Sequence, residues 1–96
     1  MARDRTKLTE GEVQAFVQSH PGWALAGGML NKTYGFADFR AAMAFVNRVA
    51  DAAEAADHHP DIDIRYNHVT LALQTHDAGG LTARDTALAA QVERFA

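Results

Sequence analysis

The chain has 96 residues, enough for one domain, and residues 1–96 are expected to fold as a single unit. Apolar residues make up 48% of it, but 20 of them are alanine, so large side chains are scarce and oligomerisation is the expected remedy for a thin core. Nine Lys and Arg against 12 Asp and Glu offer no basic field to phosphates, which excludes nucleic acid as a direct ligand, and the absence of cysteine excludes disulfides, thiolate nucleophiles and thiolate metal sites.

Met1, Ala2, Arg3, Asp4 and Arg5 are charged overall and lead into no apolar signal segment, and no run of about 18 apolar residues follows anywhere. The expectation is a cytoplasmic chain with no membrane partner. Thr9 and Glu12 have the spacing of a capping box, with Leu8 and Val13 placed as a hydrophobic staple, so a short first helix begins there. It stops at Ser19-His20-Pro21-Gly22, where proline and glycine impose a turn.

Gly27-Gly28 separates two alternating runs and predicts a hairpin with Leu25 opposite Leu30. Trp23, Leu25, Leu30, Tyr34 and Phe36 then share one face, with Lys32 as the exception. From Asp38 the period changes to 3.6: Phe39, Ala42, Met43, Val46, Val49, Ala50 and Ala53 form an apolar stripe, leaving Phe45 off it. This helix ends near Asp57, because Pro60 pushes His59 out of helical dihedrals.

A second hairpin follows, with Ile62, Ile64 and Tyr66 alternating with charged residues and Val69, Leu71 and Leu73 continuing the pattern. A turn at Asn67-His68 pairs Tyr66 with Val69 and, extended outward, sets His59 opposite His76 on the polar face. Gly79-Gly80 closes the strand, and Thr82 with Asp85 caps a last helix carrying Leu88, Val92 and Phe95. The expected fold class is two-layer α+β, with a four-stranded antiparallel sheet, helices on one face and the order α-ββ-α-ββ-α.

His58, His59 and His76 are the candidates for chemistry. Imidazoles titrate near neutrality, so clustered rings supply an acid and a base together, which suits a dehydration needing no cofactor. His20 and His68 read as surface or structural residues. The three clustered imidazoles and a carboxylate also have the ligand types of a zinc site, but neither His-x-x-x-His nor His-Glu-x-x-His occurs and no metal is expected. Glu54, four residues before His58, can reach that ring from the last helical turn or remain a solvated charge.

The runs Glu54-Ala55-Ala56-Asp57-His58-His59-Pro60, Tyr66-Asn67-His68-Val69 and Thr75-His76-Asp77-Ala78-Gly79-Gly80-Leu81-Thr82 resemble the signature of the pterin-4a-carbinolamine dehydratases. Trp23 and Phe36-Ala37-Asp38-Phe39 also fit, and the resemblance covers all but the first few residues. It implies dehydration of 4a-hydroxytetrahydrobiopterin to quinonoid dihydropterin, the recycling step that serves aromatic amino acid hydroxylases. By that analogy His58 and His76 form the acid/base pair and His59 holds the ring. Glu54, Asp57 and Asp61 compete to accept from the aminopyrimidine edge. Trp23 is either core or a platform beside the pterin, and Asp85 is either a cap partner or a site carboxylate. Asp57 stands where many relatives carry asparagine.

Two other functions stay open: a dimerisation cofactor for a transcription factor, with Phe45 on a helix–helix surface, and a non-catalytic pterin-binding protein. A homodimer or dimer of dimers is expected, through sheet edges or helices.

Overall fold

The computed structural model describes residues 6–96; the charged stretch at residues 1–5 lies outside them. Thr9 caps α1 (Glu10–Ser19), its hydroxyl accepting from the Glu12 N–H while the Glu12 carboxylate accepts from the Thr9 N–H. The first hairpin follows as β1 (Ala24–Ala26) and β2 (Met29–Gly35), then α2 (Phe39–Ala56), a second hairpin of β3 (Asp61–Arg65) and β4 (His68–Leu73), a 3₁₀ turn (His76–Ala78) and α3 (Ala83–Glu93). All strands pair antiparallel in the order β1-β2-β4-β3, and the fold is α+β as expected. Among the described residues, no helix is long and apolar enough to cross a membrane.

The first hairpin has the predicted register, Leu25 opposite Leu30, because Gly27 and Gly28 both take positive φ (60° and 76°) at no steric cost. Leu30 and Tyr34 on β2 join Val69, Leu71 and Leu73 on β4 in the core, under α2 and α3. Lys32 shares that face and is accommodated by an acceptor. Its ammonium donates to Glu93 of α3 (2.8 Å) and to the Pro21 carbonyl (3.0 Å), and lies 4.7 Å from the centre of the Tyr34 ring. The Tyr34 hydroxyl donates to the same Glu93 carboxylate.

The structure corrects two expectations. The second hairpin turns at Tyr66-Asn67, not Asn67-His68, so Arg65 faces His68, Ile64 faces Val69 and Ile62 faces Leu71. Asn67 is held from outside the hairpin: its side-chain amide donates to the Phe36 carbonyl (2.8 Å), and the Phe36 N–H donates to the Asn67 carbonyl (2.9 Å). Tyr66 absorbs the strain at φ 50° and stands exposed. A shift of two residues keeps every side chain on its expected face but removes the predicted His59–His76 opposition.

The second correction concerns α2, whose buried face includes Phe45, Val49 and Ala52, with Phe45 only 1% exposed and Phe39 49% exposed. Phe45 packs in the core against Tyr34 and Phe36, with ring centres 4.8 and 4.9 Å away, and is therefore no surface contact. Alanine lines so much of this helix that the period alone does not choose a side; the aromatic ring does, because it removes the most apolar area from water.

Candidate active site

The site grows out of the way α2 stops. Asp57 takes the left-handed conformation (φ 49°, ψ 45°), its N–H bonding the Glu54 carbonyl while the His58 N–H reaches back to the Ala53 carbonyl at 3.0 Å. This is the Schellman pattern, here with aspartate where glycine is usual. The reversal turns His58 inward, and Pro60 holds the next residue extended toward β3.

His58 is 7% exposed and directs Nε2 at Asp85, 2.6 Å from Oδ1. Asp85, fully buried, receives two more bonds at Oδ2, from the Thr75 hydroxyl (2.8 Å) and the Thr82 N–H (2.9 Å). Thr82 in turn donates its hydroxyl proton to Thr75 (2.8 Å) and accepts the Arg84 N–H. Every donor in this chain points toward the carboxylate, so Asp85 is read as ionised and His58 as carrying its proton on Nε2. Nδ1 is then the nitrogen left for a ligand.

His59 is exposed and its Nε2 sits 2.5 Å from Oε2 of Glu54. Neither alternative for Glu54, a bond to His58 or a solvated charge, is what forms, because the helix ends at Ala56: beyond the left-handed Asp57, four-residue helical spacing no longer applies, and the residue five positions on meets the carboxylate. His76 opens the 3₁₀ turn, with Nδ1 3.3 Å from the Gln74 amide nitrogen.

All three imidazoles line one open cleft of about 260 Å³. Asp57, Gln74, Thr75, Asp77 and Arg84 complete its wall. Arg84 ties the two helix ends together, its guanidinium donating to the Asp57 carbonyl at 2.5 Å. Glu54 and Asp85 stand behind the rings they hold. Trp23 and Asp61 do not line the cleft: Trp23 is buried in the core at 2% exposure, and Asp61 is exposed at the start of β3. Among the described residues, no group of three His, Cys, Asp or Glu side chains is disposed to hold a metal ion. Gln74 and Arg84 were not singled out from sequence. The polar alternation of β4 puts Gln74 on the face opposite the apolar one without marking it as a site residue, whereas Arg84 carries no local signal.

Chemically, the cleft offers proton donors and acceptors on rings whose second nitrogen is already occupied, the arrangement that fixes which nitrogen faces a substrate.

Residues 6–95 match the family profile described as "Pterin 4 alpha carbinolamine dehydratase". A curated protein of Thermomicrobium roseum named "Putative pterin-4-alpha-carbinolamine dehydratase" is 53% identical over 90 residues, covering 94% of this chain and 97% of the relative. Among solved structures, a transcriptional coactivator/pterin dehydratase from Brucella melitensis superposes with a TM-score of 0.88 at 31% identity, covering 93% of this chain and 97% of its own. A pterin dehydratase-like protein identified as a RuBisCO assembly factor in the alpha-carboxysome gives a TM-score of 0.66 at 27% identity, covering 78% and 89%. By sequence and by fold, this chain belongs to the pterin 4 alpha carbinolamine dehydratase family, a family of hydro-lyases.

Proposed function

We propose that the chain dehydrates a pterin-4a-carbinolamine, 4a-hydroxytetrahydrobiopterin or a close analogue, to the quinonoid dihydropterin by histidine general acid/base catalysis. The observation that carries this reading is the convergence of His58, His59 and His76 on one cleft, two of them backed by carboxylates through Nε2. In the reaction the C4a–O bond breaks, the hydroxyl leaves as water with a proton from one imidazole, and a second imidazole removes the N5 proton. The N5 electron pair becomes the C4a=N5 bond, so nothing is oxidised and no external electron carrier is needed. Each positioned acid or base is worth about 10²–10⁴ in rate. Asp57, on the cleft wall, is suited to accept from the aminopyrimidine edge; Asp85 acts through His58, and Glu54 through His59.

The wider role that follows is recycling the pterin of an aromatic amino acid hydroxylase in the cytoplasm. To test the chemistry, a hydroxylase generates the carbinolamine in situ and absorbance follows the quinonoid product. Single His58→Ala, His59→Ala and His76→Ala variants are compared with the wild type after each is shown to fold. Turnover unchanged in all three would overturn the proposal.

A second reading, an interaction module, is supported by the names of the two structural neighbours and by the exposed apolar side chains Ile62, Ile64, Tyr66 and Phe39. We infer a homo-oligomer that includes pairing of β3, an edge strand exposed along its whole length. Antiparallel pairing of two copies about Asp63 sets Ile62 against Ile64 and Asp61 against Arg65, with Arg65 also bonding Asp63 in its own chain at 3.1 Å.

A further inference from the structure

Gln74 follows the last residue of β4 and is half-buried on the sheet face opposite the helices, in the series with Thr70 and Ala72. The backbone on both sides of it is fixed. Leu73 is paired with Leu30 of β2, and Thr75 is tied through its N–H to the Gly80 carbonyl (2.9 Å) and through its hydroxyl to Asp85. His76 starts a turn closed by the Gly79 N–H on its carbonyl. The Gln74 and His76 side chains therefore meet from anchored positions, across a buried Thr75.

We propose that Gln74 is a positioning residue for His76: its neutral amide holds Nδ1 and leaves Nε2 as the nitrogen presented to the substrate. The inference rests on the dehydratase reading above, in which His76 exchanges a proton with the carbinolamine. An amide carries both a donor and an acceptor, so by turning over it bonds Nδ1 in either protonation state, with its NH₂ toward the bare nitrogen or its oxygen toward an N–H. A carboxylate can only accept, and so demands a proton on the nitrogen it faces.

This difference divides the three rings. His58 and His59 have Nε2 on carboxylates and present Nδ1, whereas His76 has Nδ1 on an amide and presents Nε2. With the amide nitrogen toward Nδ1, the orientation found here, the neutral ring carries its proton on Nε2, facing the cleft. The rings around the cleft then have different faces to offer, a donor from His76 and acceptors from the others. Asp57, Asp77 and Arg84, together with His58 and His59, supply the remaining charged or titratable groups around the same cleft.

The test uses the full chain with Gln74→Glu and the volume-conserving Gln74→Met. Long-range ¹H–¹⁵N correlation spectra report which ring nitrogen of His76 carries the proton. The expected result is the Nε2–H tautomer in the wild type and a switch to Nδ1–H in Gln74→Glu, because a carboxylate at position 74 takes that proton. With the same change, kcat falls about tenfold, a fraction of what a positioned acid contributes, while KM stays within about twofold, since ground-state binding is untouched. The limb of the pH–rate profile that reports His76 moves upward, because a neighbouring carboxylate favours the imidazolium. Gln74→Met lowers kcat less and leaves that limb in place. Ring signals unchanged in Gln74→Glu overturn the proposal, as does a tautomer switch with kcat unaltered. Wild-type protein that turns over no carbinolamine, yet shows the switch in Gln74→Glu, overturns the dehydratase reading and leaves the Gln74–His76 pairing supported.

Discussion

Replacing Asp85 by asparagine separates what this carboxylate does for the fold from what it does for His58. The side chain is fully buried and accepts three hydrogen bonds, from His58 Nε2, the Thr75 hydroxyl and the Thr82 N–H. Asparagine has the same shape but one acceptor oxygen. The Thr82 N–H cannot reverse, so that oxygen goes to the Thr side and the NH₂ turns toward His58. The ring must then accept at Nε2 and move its proton to Nδ1, the nitrogen assigned to the substrate. Stability should fall by about 1–3 kcal/mol, the cost of weakening one buried polar contact, whereas Asp85→Ala, which strands all three donors, should cost about 3–5 kcal/mol. Loss of a correctly held base should lower kcat in Asp85→Asn by at least about 10²-fold. Urea unfolding, steady-state turnover and the His58 ring signals together decide the matter. An Asp85→Asn protein whose kcat lies within about threefold of the wild type, with His58 still protonated on Nε2, would refute the reasoning.

Other outcomes follow from the same structure. Phe45→Ala should cost about 3–5 kcal/mol by urea unfolding, and Phe39→Ala under about 1 kcal/mol; equal losses would contradict the placement of α2. Burial opposes ionisation of Glu93, but bonds from Lys32 and Tyr34 outweigh it and hold the carboxyl below its ordinary value of 4.5. That contribution is present above the unfolded value and disappears as pH falls through the lower folded one, so Glu93→Gln should flatten the stability loss below about pH 4.5 relative to the wild type. Burial, and then Glu93 beside it, pushes the Tyr34 hydroxyl well above its usual range, so it stays a donor throughout. For the β3 edge, light scattering should show a dimer or larger species at micromolar concentration and a smaller one for Ile62→Lys/Ile64→Lys; a wild-type monomer of about 10 kDa would reject the assembly.

The parts of the fold legible in sequence were those whose determinants are local. Two glycines set the first hairpin, and Thr9–Glu12 and Thr82–Asp85 announced two helix starts. The second hairpin was misplaced by two residues because its turn is pinned by Phe36, 31 positions from Asn67. The face of α2 was obscured by alanine, which satisfies the helical period on every side. At the site, the His-His-Pro run and the following Thr-His were enough to gather three imidazoles, and alternation survived the register error. Partner assignment depended on something else: the left-handed Asp57 gives Glu54 to His59 instead of His58. Asp85 was visible as a cap residue while its hold on His58, 27 positions away, was not. Trp23 lies in the core, where its large ring is removed from water.

The most direct measurement of the central claim is the rate at which the folded His58→Ala/His76→Ala double variant turns enzymatically generated carbinolamine into quinonoid dihydropterin. Removal of two proton-transfer groups from one cleft predicts a fall toward the uncatalysed rate with the circular dichroism spectrum preserved. Wild-type turnover in that variant would contradict histidine acid/base catalysis at this site.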